Sequence, residues 1–154
     1  MAEPTRIAHA SDAAEVAGLL HRFNREFDEF TPGAEVLEPR VRRHVDEDLS
    51  VFLLAGRADV GVAQLRFREY LHTGTPVCYI EELYVVPNRR GEGHGRRLME
   101  TAFEVARERD ATSVELGTSL DDSAARGLYE ALGFTNLEKP DRPETQMLYY
   151  ERDL

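Results

Sequence analysis

The sequence predicts a single α/β (α+β) domain over residues 1–154, with one central mixed sheet of about six to seven strands flanked by about four helices. Three observations lead there. Apolar runs bounded by turn residues lie at 51–55, 60–70 and 77–86, close enough in sequence to form an antiparallel meander. Residues 80–118 read as strand, glycine-rich loop, amphipathic helix and strand, a unit whose two strands should be parallel. The other apolar positions recur mostly at helical spacing on either side of these segments.

The elements follow in order. Residues 5–9 make a short first strand. Asp12 and Glu15 have the form of a capping box, with Ser11 as the rival cap. Ala13, Val16, Ala17, Leu20 and Phe23 then give one buried face to a helix. Residues 24–37 lack a clear period, carry aromatic and acidic side chains, and are broken by Thr31-Pro32-Gly33, a turn signal. Pro39 suits the first position of a second helix, with Val41, Val45 and Leu49 along one side. Residues 51–55 are continuously apolar and read as a buried strand; 56–59 form a turn, and 60–70 return as its hairpin partner. Residues 72–76 turn the chain into strand 77–86, which Pro87 ends. The helix of residues 93–110 carries Leu98, Ala102 and Ala106 in one row and Met99 and Phe103 in another. Residues 113–118 are the next strand. Ser123 opens a last helix, and Gly133 stands where a C′ glycine belongs. A short strand starts at Phe134, and residues 145–151 close the sheet.

Composition narrows the function. The 154-residue chain is 42% apolar and 31% charged, ordinary for a globular protein. No apolar run approaches the roughly 18 residues of a membrane span, and the opening MAEPTR lacks the basic and apolar segments of a signal peptide. A single cysteine, Cys78, excludes an internal disulfide and fits a cytoplasmic setting. The net charge of −10 argues against nucleic acid as a partner. Charge is uneven, however. Arg89, Arg90, Arg96 and Arg97 against Glu92 give residues 88–97 a local +3, leaving −13 on the remainder. A basic loop on an acidic body suits an anionic ligand at the loop and a cationic one elsewhere.

The loop has the design of a phosphate site. Glycines let backbone approach a ligand, and unpaired N–H groups at a helix N-terminus favour an anion. Its spacing is not that of a dinucleotide fingerprint, since Arg96 stands where the third glycine belongs, and no G-K-S or G-K-T run marks a P-loop. What is present is Arg90-x-x-Gly93-x-Gly95, after a strand with Leu83-x-Val85-x-Pro87. This resembles the acyl-CoA pyrophosphate loop of the GCN5-related N-acetyltransferase (GNAT) superfamily. A second stretch, Ala125-x-x-Leu128-Tyr129-x-x-x-Gly133-Phe134, is similar to another GNAT signature. It departs at its first position, where the family often has an Asn that contacts pantetheine and this chain has Asp122. An ionised Asp accepts hydrogen bonds and cannot donate them. The two stretches cover about residues 77–135.

The resemblance implies a GNAT fold with a splayed parallel strand pair, and acetyl transfer from acetyl-CoA, without a metal, to an amine. The diphosphate would meet the backbone amides of Arg90, Gly91, Glu92, Gly93, His94, Gly95 and Arg96, with side-chain charge from Arg90 and Arg96. The pantetheine arm would pair like a strand with Leu83, Tyr84 and Val85, and a backbone N–H near Leu83 or Tyr84 would receive the oxyanion. An alkylammonium must lose a proton, and an acidic residue on this strand is the implied base. Glu81 and Glu82, being consecutive, point to opposite faces; Glu82 ranks ahead of Glu81, with Glu115 third. Tyr129 matches the usual general acid for the leaving thiolate. Cys78 has no activating base nearby in sequence. The five histidines lack metal-ligand spacing, and His94 merely sits in the loop.

The expected function is therefore an acetyl-CoA-dependent N-acetyltransferase working by direct attack in a ternary complex. Its acceptor would be a primary amine, with a small cationic compound of polyamine, diamine or aminoglycoside type favoured by the acidic body. Glu26, Asp28 and Glu29 could bind such an amine, or the segment could be a solvated loop. A protein or peptide amine, and a non-catalytic acyl-CoA sensor, remain as alternatives. No nucleic acid or membrane partner is expected; a homodimer is possible by family habit.

Overall fold

The computed structural model describes residues 4–154, in two compact units, one running to Leu116 and the other Gly117–Leu154. Residues 1–3, part of the stretch read as lacking a leader, lie outside the described residues. In chain order the first unit holds β1 (Thr5–Ile7), α1 (Ala13–Glu26), α2 (Ala34–Asp46), β2 (Val51–Ala55), β3 (Gly61–Tyr70), β4 (Thr75–Val85), α3 (His94–Glu108) and β5 (Ser113–Leu116). The second unit holds α4 (Ser123–Ala131). No helix among the described residues is long and apolar enough to cross a membrane.

The sheet runs β1-β2-β3-β4-β5, with antiparallel neighbours up to β4 and a parallel β4–β5 pair. The mixed sheet expected from the meander and the β-loop-α-β unit is thus present. Among the described residues it has five strands, fewer than the six to seven expected. The strands expected at Phe134 and at 145–151 reduce to one isolated bridge, Leu137↔Gln146. Pro140 and Pro143 interrupt the approach, a 3-10 turn occupies Pro143–Thr145, and Met147, Leu148, Tyr149 and Tyr150 are exposed. Strand propensity alone does not make a strand; a pairing partner does.

Alternation decides which side chains each helix covers. Phe52 and Leu54 on β2, Val62 on β3, Tyr84 near the end of β4 and Val86 just past it form one core with Val16, Ala17 and Leu19 of α1 and Val41 of α2. The opposite set, including Leu53, Ala63, Leu65 and Ile80, is buried on the face where α3 packs with Leu98, Met99, Ala102 and Ala106. Burial on both faces explains why VFLLA is apolar throughout.

Two local readings are corrected. α2 starts at Ala34, so Pro39 lies inside it and does not open it. Gly33, at φ 99°, makes the entry, and its carbonyl accepts from Val36 and Leu37 at 3.2 and 3.1 Å, closing the first turn ahead of the proline. Asp12 does not cap α1 with its side chain. Its carboxylate accepts from the His9 N–H at 2.7 Å and from both terminal nitrogens of Arg6 at 2.8 Å, one turn earlier. These partners pull its pKa down to about 2, the Arg6 hydrogen bond being the largest cause. Glu15, the other half of the expected box, instead accepts from the Asp59 N–H at 3.0 Å.

Candidate active site

The site grows from an irregularity in β4. Gln64 pairs with Glu82, yet the next residue, Leu65, pairs with Ile80, so Glu81 is an extra residue on β4. Such a bulge bends its strand and re-aims side chains. Ile80 faces α3, whereas Glu82 lies opposite Gln64, whose amide donates to Ser50 Oγ at 2.9 Å. Ser50 in turn meets His44 of α2 at 2.8 Å, which identifies the α1–α2 face. Glu82 therefore shares that face with Tyr84. Glu81 does not point to the opposite side as alternation suggests. From the bulge its carboxylate comes within 3.9 Å of Arg66, a β3 residue on the Gln64 face.

The three candidate bases differ in setting. Glu82 is half-buried, and burial, reinforced by the charge of Glu81, raises its pKa above the usual carboxylate value. Glu81 is exposed beside Arg66. Glu115 is exposed and accepts from Arg68 at 3.1 Å. Of the three, only Glu82 is partly buried.

Beyond the bulge the two parallel strands part company. β5 accompanies β4 from Val77↔Ser113 to Ile80↔Leu116 and no further. Val86 N–H donates to Val60 O at 3.0 Å, so the backbone groups of Tyr84 and Val86 turn to β3. Those of Leu83 and Val85 turn the other way, toward the side β5 has left. Of the three residues expected to line a pantetheine arm, Leu83 and Val85 present backbone there, and Tyr84 does not.

The glycine loop follows a 3-10 turn at Pro87–Arg89. Gly93, left-handed at φ 85°, is the N-cap of α3. His94 is 3% exposed and does more than occupy the loop. Its Nδ1 lies 3.1 Å from Arg97 Nη2 and its Nε2 3.2 Å from Arg89 Nη2, so an arginine stands at each ring nitrogen. Nε2 also lies 3.1 Å from the Glu92 carboxylate, which accepts from Arg89 Nε at 2.8 Å. Arg97 Nη2 also donates to Glu92 O at 3.0 Å, folding its guanidinium across Gly93. The acidic residue of the loop is thus held by Arg89 and His94, which leaves the basic character of the helix entrance intact. Helical spacing of His94 and Arg97 (i, i+3) was the one sequence signal for this staple.

Arg90 is placed differently from Arg96. Its Nε donates to Val85 O at 2.9 Å and its Nη2 to Glu26 at 2.7 Å, with the guanidinium 5.7 Å from the Tyr84 ring centre. Arg96 is exposed on the first turn of α3. The α1–α2 connection leaves an open cavity of about 440 Å³ lined by Arg25, Asp28, Glu29 and Thr31. Glu26, grouped with Asp28 and Glu29 on sequence grounds, is turned instead to Tyr84 and Arg90.

In the second unit, Tyr129 on α4 makes an edge contact with Phe134 at 5.9 Å. Burial, with the charge of Asp122, pushes its pKa up to about 12. Asp122 is the N-cap of α4 and accepts from Ala125 N–H at 3.1 Å, which gives one oxygen of that departure from the family pattern a structural task. In the first unit, buried Cys78 has its thiol pushed up to about 11 by desolvation.

Residues 16–134 match the family described as Acetyltransferase (GNAT) family. An uncharacterised N-acetyltransferase of Bacillus subtilis (strain 168) is 31% identical over 132 residues, 84% of this chain and 87% of that protein. Aminoglycoside N(6′)-acetyltransferase type 1 of Klebsiella aerogenes is 36% identical over 81 residues, 51% of this chain and 53% of that enzyme. A crystal structure of a candidate acetyltransferase from Arthrobacter sp. FB24 superposes with a TM-score of 0.90 at 41% identity, covering 99% of this chain and 96% of that one. The family match spans both signature stretches and most of the chain, and from it we conclude that the chain belongs to the GNAT acetyltransferase family.

Proposed function

We propose that this acetyltransferase moves the acetyl group of acetyl-CoA to a small cationic primary amine, by direct attack in a ternary complex within one functional domain. The observation that carries the reading is Glu82, a half-buried carboxylate on the α1–α2 face with its pKa raised. An alkylammonium has a pKa near 10.4 and must be deprotonated before attack. A carboxylate of raised proton affinity is a better acceptor for that proton, directly or through one water, than an exposed one. Asp28 and Glu29 at the open cavity supply negative charge for a cationic acceptor. The partial likeness to an aminoglycoside acetyltransferase supports the same class.

Donor binding falls to the loop. Gly91 and Gly93, exposed and at positive φ, leave bare backbone ahead of α3, and Arg96 adds charge. Leu83 and the Val85 N–H offer the strand-like edge, the Val85 carbonyl being held by Arg90, and the Leu83 N–H is the oxyanion donor on this reading. Acetyl-CoA supplies an activated acyl group whose leaving thiol has a pKa near 8.5. Tyr129, protonated far above neutrality, donates a hydrogen bond to the sulfur as charge develops; at a pKa of about 12 it is a weaker acid than that thiol.

The test is thiol release from acetyl-CoA with spermidine, 1,4-diaminobutane, kanamycin and a short peptide as acceptors. Turnover with one of the small cations, abolished by Glu82→Gln and lowered by Tyr129→Phe, is the expected result. Turnover on the peptide alone would replace the acceptor class. Tight CoA binding without turnover of any amine would point to a sensor.

A further inference from the structure

Arg90 begins the donor-loop signature, yet its side chain is already committed. Nε is bound to Val85 O at 2.9 Å, and Nη2 to Glu26 Oε2 at 2.7 Å. The other oxygen of Glu26 accepts from the Tyr84 hydroxyl at 3.0 Å. Phe23, one turn before Glu26, stacks on the Tyr84 ring at 4.9 Å and meets Phe27 edge-on at 5.4 Å. The last turn of α1, the last residues of β4 and the first residue of the loop are therefore joined at one carboxylate. That carboxylate also ends the helix just ahead of Asp28 and Glu29, which line the open cavity.

We propose that Glu26 is a positioning residue for donor binding: it holds Arg90 against the end of β4 as a strut that fixes the entry to the donor loop, so that Arg90 does not serve as a phosphate ligand. The diphosphate is then left to the backbone of residues 91–95 and to Arg96. The proposal rests on the reading of this loop as the donor site. Geometry favours the strut over a free cation. An arginine bound by both Nε and Nη2 has its planar fork oriented, and releasing it would leave Glu26 and the Val85 carbonyl to be resolvated.

The two roles predict opposite signs. Glu26 is a negative charge close to where a polyanion would bind. If Arg90 were a phosphate ligand, removing Glu26 would free it and tighten binding. If Arg90 is a strut, removing Glu26 loosens the loop entry and weakens binding. The experiment is calorimetric titration of the full chain with CoA, on wild type, Glu26→Gln, Arg90→Gln, the double variant, Glu26→Asp and Arg90→Lys. The strut predicts that each single glutamine variant raises Kd about three- to tenfold, the scale of one or two hydrogen bonds. It also predicts that the double variant stays within about twofold of the weaker single. Glu26→Asp, which keeps the charge and shortens the reach, weakens binding too, and Arg90→Lys does not restore it. Glu26→Asp guards against a glutamine variant that fails to fold, and melting temperatures identify such a variant. Unchanged or tighter binding by Glu26→Gln, additive losses in the double variant, or rescue by Arg90→Lys would each overturn the strut while leaving the donor loop standing. Failure of wild type to bind CoA would instead remove the donor-loop reading, and the strut with it.

Discussion

Gly93→Ala should destabilise the protein by about 2 kcal/mol, twice the effect of Gly91→Ala. Both glycines have positive φ, 85° and 81°. An alanine there costs about 1–2 kcal/mol in the left-handed region, offset by about 0.4–1 kcal/mol from a stiffer unfolded chain. That leaves about 1 kcal/mol for either site. The surroundings then separate them. A Cβ on Gly91 meets nothing within 4 Å, whereas one on Gly93 would lie 3.0 Å from Arg97 Nη1. Arg97 must move, loosening its bonds to Glu92 O at 3.0 Å and His94 Nδ1 at 3.1 Å. A half-exposed arginine recovers part of that loss from water, so the added cost is about 1 kcal/mol. For a chain of this size each kcal/mol lowers Tm by about 2–4 °C. Scanning calorimetry should show losses of about 4–8 °C for Gly93→Ala and about 2–4 °C for Gly91→Ala. Equal losses, or a larger one at Gly91, would refute the claim that Arg97 and His94 staple the loop.

Glu82→Gln should lower kcat/KM by about 10²–10⁴, the range for loss of a general base, and should also stabilise the fold at pH 7. A carboxyl whose folded pKa is raised contributes most below its unfolded value and loses that contribution as pH rises through the folded one. The stability gain should therefore vanish as pH falls below about 4.5, and a gain that persists there would sink the burial argument. Asp12→Asn should cost about 1 kcal/mol at pH 7, discounted because Arg6 is 47% exposed. Asp12, lowered from 3.8 to about 2, stabilises above the first value and loses that effect toward the second, so the two melting curves should converge near pH 2. Cys78, with its thiol near 11, should resist iodoacetamide at pH 8 in the native protein and react once guanidinium unfolds it. Rapid native alkylation with loss of activity would mark it as a nucleophile.

Much of the fold was legible because its causes are local. The run Val51–Ala55, the hairpin after it, the proline that ends β4 and the glycine-led start of α3 each carry their instruction within a few residues. The glycine spacing after that strand, together with the stretch from Ala125 to Phe134, was enough to single out the family. Less was legible where an outcome needed a distant partner. The run Met147–Tyr150 has strand propensity and no ladder. Asp12 looked like a cap for the residues after it and was taken by Arg6 and His9 before it.

Sequence by itself therefore determined the order of the sheet strands, the parallel pair and the place of the glycine loop proposed to bind the donor. Tertiary structure decided the bulge at Glu81, which sets Glu82 on the α1–α2 face, and the partners of Arg90 and His94. The physical reason is range. Helix and turn signals act over three or four residues, whereas strand register and the choice among neighbouring charges depend on groups brought together from far along the chain, as Glu26 and Arg90 are.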